Sequence, residues 1–167
     1  MFFTFPPKIM VNIDGSPTLV TDIFRRVSAN KFAKNWVDLV TMTIPEGFTP
    51  EQLAHRLYDD PEYHWVFLIV NDIVDVREEW PRDSKTLVAY CKQKYGINGM
   101  YEVHHYRTTD KNKFIVDYDP VALSNGTIEP VTNFIYEDEI NNSKREIKVV
   151  PVEHLPFFVN TYRGLIR

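Results

Sequence analysis

The stretch that most constrains this chain is a doubled helix-start signal in "TPEQLAHRLYDDPEYHWVFLIVND", residues 49–72. Thr49 is followed by Pro50, and Gln52 stands three positions after the threonine. That is a capping box with proline at the first helical position, where a missing N–H is no loss. Asp60-Pro61 repeats the device ahead of Tyr63, Trp65, Phe67, Leu68, Ile69 and Val70. The first helix carries Leu53, Ala54, Leu57 and Tyr58 on one face. The second is apolar nearly all round, so it must be buried on most sides. Leu53, Tyr58, Trp65 and Leu68 are the predicted core. Upstream, "WVDLVTMTI" (36–44) alternates with the period of two that a strand requires, and Pro45-Glu46-Gly47 turns the chain. Residues 36–72 therefore predict strand, turn, helix, tight turn, helix.

The flanks are less regular. Residues 1–20 predict an extended arm, with Phe2, Phe3 and Phe5 ahead of Pro6-Pro7 and "NIDGSP" as a turn. Thr21 or Asp22 can cap a short helical turn with Ile23, Phe24 and Val27 on one face. After the loop "VREEWP", Asp83 or Ser84 starts a third helix with Leu87, Val88, Cys91 and Tyr95 as its stripe, and Gly96 stops it. Beyond Gly99 the pattern predicts strands at 101–107, 113–118, 132–139 and 145–150, with "INNS" as a hairpin turn between the last two. A helix after Pro151 places Leu155, Phe158, Val159 and Tyr162 on one face. The class is α+β, in four stretches: an N-terminal arm with a short helix (1–35), a compact module (36–75), a linker with the third helix (76–100), and a strand-rich segment ending in a helix (101–167).

Composition narrows the function. A net charge of −4 and a pI near 5.7 lack the basic stripe of a nucleic-acid binder. One cysteine, Cys91, excludes an internal disulfide or a cysteine-based zinc site. "MFFTFPPK" lacks the basic start and apolar run of a signal peptide, and no stretch reaches the ~20 apolar residues of a membrane span. His55 and His64 fall on different helices, and His104-His105 in a strand point to opposite faces, so neither pair forms a ligand set. Asp59-Asp60 suits a cap, and Asp117, Asp119 and Glu137-Asp138-Glu139 suit charged strand edges. Asn125-Gly126-Thr127 and Asn141-Asn142-Ser143 read as turns. No nucleophile elbow, glycine-rich phosphate loop or paired acids in an apolar setting occurs. No catalytic residue, cofactor or metal is expected. Aromatics make up 14% of the chain, which fits either rings buried at contacts with other proteins or a tyrosine-rich core. The phenylalanines of the arm cannot bury themselves locally and need a surface, either the parent domain or a neighbouring chain.

Two resemblances follow from quoted residues. Residues 38–72 resemble a LysM module, a small strand-helix-helix-strand fold that binds N-acetylglucosamine polymers. The matching positions are Gly47, Thr49, Leu53, Ala54, Tyr58, Leu68 and Asn71, with Trp65 in the core between them. Phe48 and Pro50 depart from the LysM pattern, and no closing strand follows Asn71. More widely, "FTFPP", "TDIFRR", "EGFTPEQLAHRLYDDPEYHWVFLIVND", "EWP", "HHY" and "VTNFIYEDEINNSKREIKVVPVEHL" occur in the order that resembles the baseplate wedge protein 53 family of contractile-tailed bacteriophages. The resemblance implies a non-enzymatic structural protein of the virion tail, made in the host cytoplasm and present in several copies around the tail axis. It implies that the protein bridges adjacent wedges and links them to the central hub. Its partners are then other wedge proteins, the sheath-proximal wedge protein, hub proteins and neighbouring copies, with no nucleic acid or membrane. Phe2, Phe3, Phe5, Ile23 and Phe24 are the expected partner-binding residues. A peptidoglycan-binding LysM protein is the alternative.

Overall fold

The computed structural model describes residues 8–21 and 38–166. The chain divides into two compact units, Met1–Trp80 with Glu146–Arg167, and Pro81–Arg145, so the second interrupts the sequence of the first. The expected α+β class is observed.

In the first unit, β1 (Lys8–Ile13) and β2 (Ser16–Thr21) form an antiparallel hairpin. Asp14 and Gly15 occupy its turn at φ 51° and 80°, the left-handed pair that an Asp-Gly hairpin turn requires. The arm expected to be extended and unpaired is thus a hairpin over 8–21. The helical turn expected around Ile23 and Phe24 lies outside the described residues, as do Phe2, Phe3 and Phe5.

β3 (Val40–Thr43) leads into α1 (Pro50–Tyr58). The capping box forms as the sequence requires: the Gln52 N–H donates to Thr49 Oγ1 at 3.3 Å and the Thr49 N–H to Gln52 Oε1 at 3.0 Å. Asp60 accepts from the Glu62 N–H at 2.8 Å and opens a short 3-10 turn, Pro61–Tyr63, which runs into α2 (His64–Val70). A single-turn helix, α3 (Val76–Glu79), follows. The strand that closes the unit arrives only at β7 (Glu146–Val149), antiparallel to β3 with Val40 opposite Val149. A second 3-10 turn (Val152–His154) then leads to α7 (Leu155–Ile166), whose Leu155, Phe158, Val159 and Tyr162 are buried as the stripe predicts.

These elements enclose one apolar core. Leu53, Ala54, Trp65, Val66 and Phe67 lie at its centre with Ile44, Ile147, Val150 and Phe158. Of the predicted core, Leu53, Tyr58 and Trp65 are buried, while Leu68 packs against the cluster half-buried. Trp65 packs against Tyr162 and Phe158 with ring centroids 5.2 and 6.3 Å away. The polar ends of the core aromatics are satisfied: Tyr58 Oη donates to the Val150 carbonyl at 2.9 Å and Trp80 Nε1 to the Phe48 carbonyl at 2.8 Å.

The second unit opens with α4 (Ser84–Gly99), capped by Asp83, which accepts from the Thr86 N–H at 2.9 Å. Gly96 breaks the helix at φ 79°, ψ 169°, a conformation essentially reserved for glycine. Next come β4 (Val103–Thr108), β5 (Ile115–Val116), a short α5 (Pro120–Ser124) capped by Asp119, and β6 (Ile128–Thr132). The three strands form a sheet in the order β5-β4-β6.

Several expectations are overturned in this unit. Residues 132–139 are not a strand, nor do Asn141-Asn142-Ser143 form a hairpin turn. Thr132 caps α6 (Asn133–Ser143), accepting from the Ile135 N–H at 3.3 Å. The inward stripe of α6 is Phe134, Glu137 and Asn141 at i, i+3 and i+7, with Glu137 and Asn141 buried and Phe134 packed on the cluster of Leu87, Cys91 and Met100. Two of the three are polar, so apolar periodicity could not reveal the helix. Glu137-Asp138-Glu139 are therefore helical, not strand-edge charges.

The strand expected at 113–118 is reduced to two paired residues, because Asp119 ends it by capping α5. Finally, His104 and His105 do not point to opposite faces. Val103 pairs with Thr132 and His105 with Val131, so His104 is an extra residue in a β-bulge. A bulge interrupts strict alternation, and the two rings meet at 2.8 Å between their Nδ1 atoms.

Candidate assembly surface

The eight module residues singled out in the sequence are brought together by α1, α2 and the turn before them, and they build the fold. Gly47 holds the turn at φ 73°, where Phe48 N donates to the Pro45 carbonyl at 3.3 Å. Thr49 caps, and Leu53, Ala54, Tyr58 and Trp65 are interior. Leu68 accepts from the Ile73 N–H at 2.8 Å as the chain leaves α2. Asn71 reaches across to β7: its Nδ2 donates to the Lys148 carbonyl at 2.8 Å, and its Oδ1 accepts from the Lys148 N–H at 2.8 Å. One amide side chain thus pairs both backbone groups of a residue 77 positions away.

Asn141 does the same in the second unit. Its Oδ1 accepts from the Arg82 N–H at 2.7 Å and its Nδ2 donates to the Arg82 carbonyl at 2.9 Å. One turn back on the same helix, Glu137 takes two hydrogen bonds on Oε1, from Lys94 Nζ at 2.7 Å and Tyr95 Oη at 2.6 Å. Its side chain is only 6% exposed. Burial pushes its carboxyl up, but the bonds from Lys94 and Tyr95 outweigh that and hold it below the usual carboxylate range. The same pairing raises the Lys94 ammonium above its ordinary value. Cys91 is buried, and burial pushes its thiol up, the reverse of what a nucleophile needs. On the sheet, Arg107 donates from Nε to Glu129 at 2.7 Å and from Nη1 to both Glu139 oxygens at 2.7 and 2.8 Å. Among the described residues no three histidine, cysteine or acidic side chains converge as a metal site. No helix among them is long and apolar enough to cross a membrane.

What the molecule offers to a partner is apolar and exposed. On the hairpin, Ile9, Met10, Val11 and Leu19 all face solvent, Met10 at 70% exposure. In the second unit Phe114, Ile115, Tyr118 and Val121 stand exposed within eight residues around the edge strand β5, Ile115 at 73%. In the first unit Val152, in the 3-10 turn, and Phe157, in the first turn of α7, are exposed. Sequence reasoning singled out the phenylalanines beside the hairpin rather than the hairpin's own apolar residues. The available signal was Asp14-Gly15 between β-branched runs.

The sequence profile of the base plate wedge protein 53 family matches residues 1–121. The chain belongs to the base plate wedge protein 53 family. Among curated proteins, baseplate wedge protein gp53 of Enterobacteria phage T4 is 30% identical over 127 residues, covering 71% of this chain and 65% of that protein. The chain thus spans less than two thirds of this relative's length. The wedge protein 53 profile includes the hairpin and the α1–α2 pair and ends within α5. The closing strand β7 and the helices α6 and α7 lie beyond it.

Proposed function

We propose that this wedge protein is a non-enzymatic joint that bridges adjacent wedges of the baseplate and links them to the central hub. The observation that carries the reading is the hairpin Lys8–Thr21. A two-stranded hairpin is marginal alone in water, yet all of its apolar side chains described here are exposed. Apolar surface left open in this way marks a contact with another protein. Phe2, Phe3, Phe5, Ile23 and Phe24 flank the hairpin in sequence and extend the same docking segment toward other wedge proteins, the hub and neighbouring copies. Modest contacts repeated around a tail axis gain avidity from geometry.

Within this reading, residues 36–75 closed by β7 form a LysM-like module retained for architecture. The order strand, helix, helix, strand supports it, and so does the engagement of the motif residues in caps, core and the Asn71 clamp rather than in an open cleft. Tail particles assembled with a chain lacking residues 1–21 provide the test. Loss of incorporation with the remaining fold intact by circular dichroism is expected; incorporation at the normal level would refute the docking role. Saturable retention of the full chain on cell-wall sacculi or chitin beads would instead favour the peptidoglycan-binding alternative.

A further inference from the structure

The His104–His105 contact has a chemical property that neither the wedge reading nor the fold requires. Two Nδ1 atoms at 2.8 Å form a hydrogen bond only if one carries the proton and the other a lone pair. The neutral pair meets that condition, and so does the pair with one added proton: the donor ring is then an imidazolium, and its Nδ1–H bonds a neutral acceptor. With two added protons both Nδ1 atoms are N–H donors of like charge, and the contact cannot persist.

The surroundings decide which ring keeps the lone pair. His104 is exposed and stacks on the Tyr136 ring of α6, with centroids 4.0 Å apart and planes 10° from parallel. His105 is half-buried in the sheet, edge-on to Tyr136 at 6.0 Å. Burial first, then His104 and the Arg107 cation of β4, hold its imidazole below the usual histidine value, while Glu139 of α6 opposes them. Arg107 is itself held by Glu129 of β6 and by Glu139, so its charge stays close to the pair. His105, whose imidazole is held low, is therefore the lone-pair partner, and His104 supplies the N–H.

The contact lies where opening it has consequences. His104 is the bulged residue of β4, and the chain just before it is tied to the start of α6. The Asn133 N–H donates to the Glu102 carbonyl at 3.0 Å, the Phe134 N–H to the Met100 carbonyl at 2.9 Å, and Asn133 Nδ2 to the Gly99 carbonyl at 2.8 Å. We propose that His104 and His105 form a proton-counting latch: the bulge is closed with no added proton or one, and a second proton taken from solvent by His105 Nδ1 opens it. The sign follows from linkage. A base whose pKa is lower in the closed form binds its proton better in the open form, so acidification drives opening.

Nitrogen-15 NMR of the imidazoles of the full chain, followed through a pH titration, tests this directly. The latch requires His105 Nδ1 to take its proton below the ordinary histidine value of 6.5, with the Tyr106 and Val131 amides following that step. Both rings titrating together and independently would overturn it. A second measurement reads the opening itself. Hydrogen-exchange protection factors in β4 and β6 are expected to fall by up to about tenfold per pH unit below the ordinary histidine value of 6.5. They are expected to stay flat in His105→Asn. Flat factors in the wild type, or the same fall in the variant, would equally refute the latch. If His105→Asn does not fold, the wild-type titration alone decides.

Discussion

The two units solve the same problem with different materials. Each uses one asparagine to seize both backbone groups of a distant residue, Asn71 on Lys148 and Asn141 on Arg82. Around that shared device the interiors diverge. The first unit buries Leu53, Val66, Phe67, Trp65 and Phe158 in a continuous apolar core, with contributions from β3, α1, α2, β7 and α7. The second gathers only Leu87, Cys91 and Met100 into a buried cluster, and it places an ionised Glu137 beside them. Apolar burial is non-directional and indifferent to protonation. A buried ion held by two hydrogen-bond donors is directional and depends on charge. The first unit should therefore fail through lost volume, and the second through lost hydrogen bonds or altered pH.

The sharpest break of this contrast is Trp65→Ala. Removing the ring that packs on Phe158 and Tyr162 is expected to cost about 3–5 kcal/mol, read as a lower midpoint in urea and lost exchange protection in α1, α2 and β7. Equal loss in α4 and α6 would show that the division into two interiors has no energetic meaning.

Next come the matched asparagines. Asn71→Ala and Asn141→Ala each remove two hydrogen bonds to a distant backbone N–H and C=O, at about 1–3 kcal/mol apiece. The first should loosen the β3–β7 pairing and the second the start of α4. Similar costs from the two would establish the clamp as a device independent of its surroundings.

The ion separates the units by pH. Glu137 is held below the ordinary carboxylate value, so the stability it contributes is complete above about 4.5 and is lost as pH falls through its folded value. Acid unfolding followed residue by residue should reach α4 and α6 before β3 and α1. Glu137→Gln should remove that order and cost about 1–2 kcal/mol at neutral pH, since Lys94 is left nearly half exposed to solvent. The smallest effect is expected from Thr49→Ala: about 1 kcal/mol from one lost cap, confined to the first turn of α1 and detectable as faster exchange of the Gln52 amide.

By itself the sequence determined what is local. The capping box at Thr49, the Asp60-Pro61 restart, the Gly96 stop and the buried stripe of α7 all depend on residues within a turn or two of one another, so their chemistry is written in adjacent letters. The family was legible for the same reason, in short blocks in a fixed order. Of the candidate site, the eight module residues could be named from the sequence, with Thr49 as cap and Leu53, Tyr58 and Trp65 as core, but the pairing of Asn71 with Lys148 could not. Only the tertiary structure decided that β3 is closed by β7 across an interposed unit, since that pairing follows from backbone hydrogen bonds between segments over a hundred positions apart. It also decided that 133–143 coil into a helix, because the face they turn inward is largely polar and is recognisable only beside Lys94, Tyr95 and Arg82. The meeting of two histidines that strict alternation would have kept apart was settled there as well. A bulge is a mismatch between two strands, and one strand's sequence does not contain it.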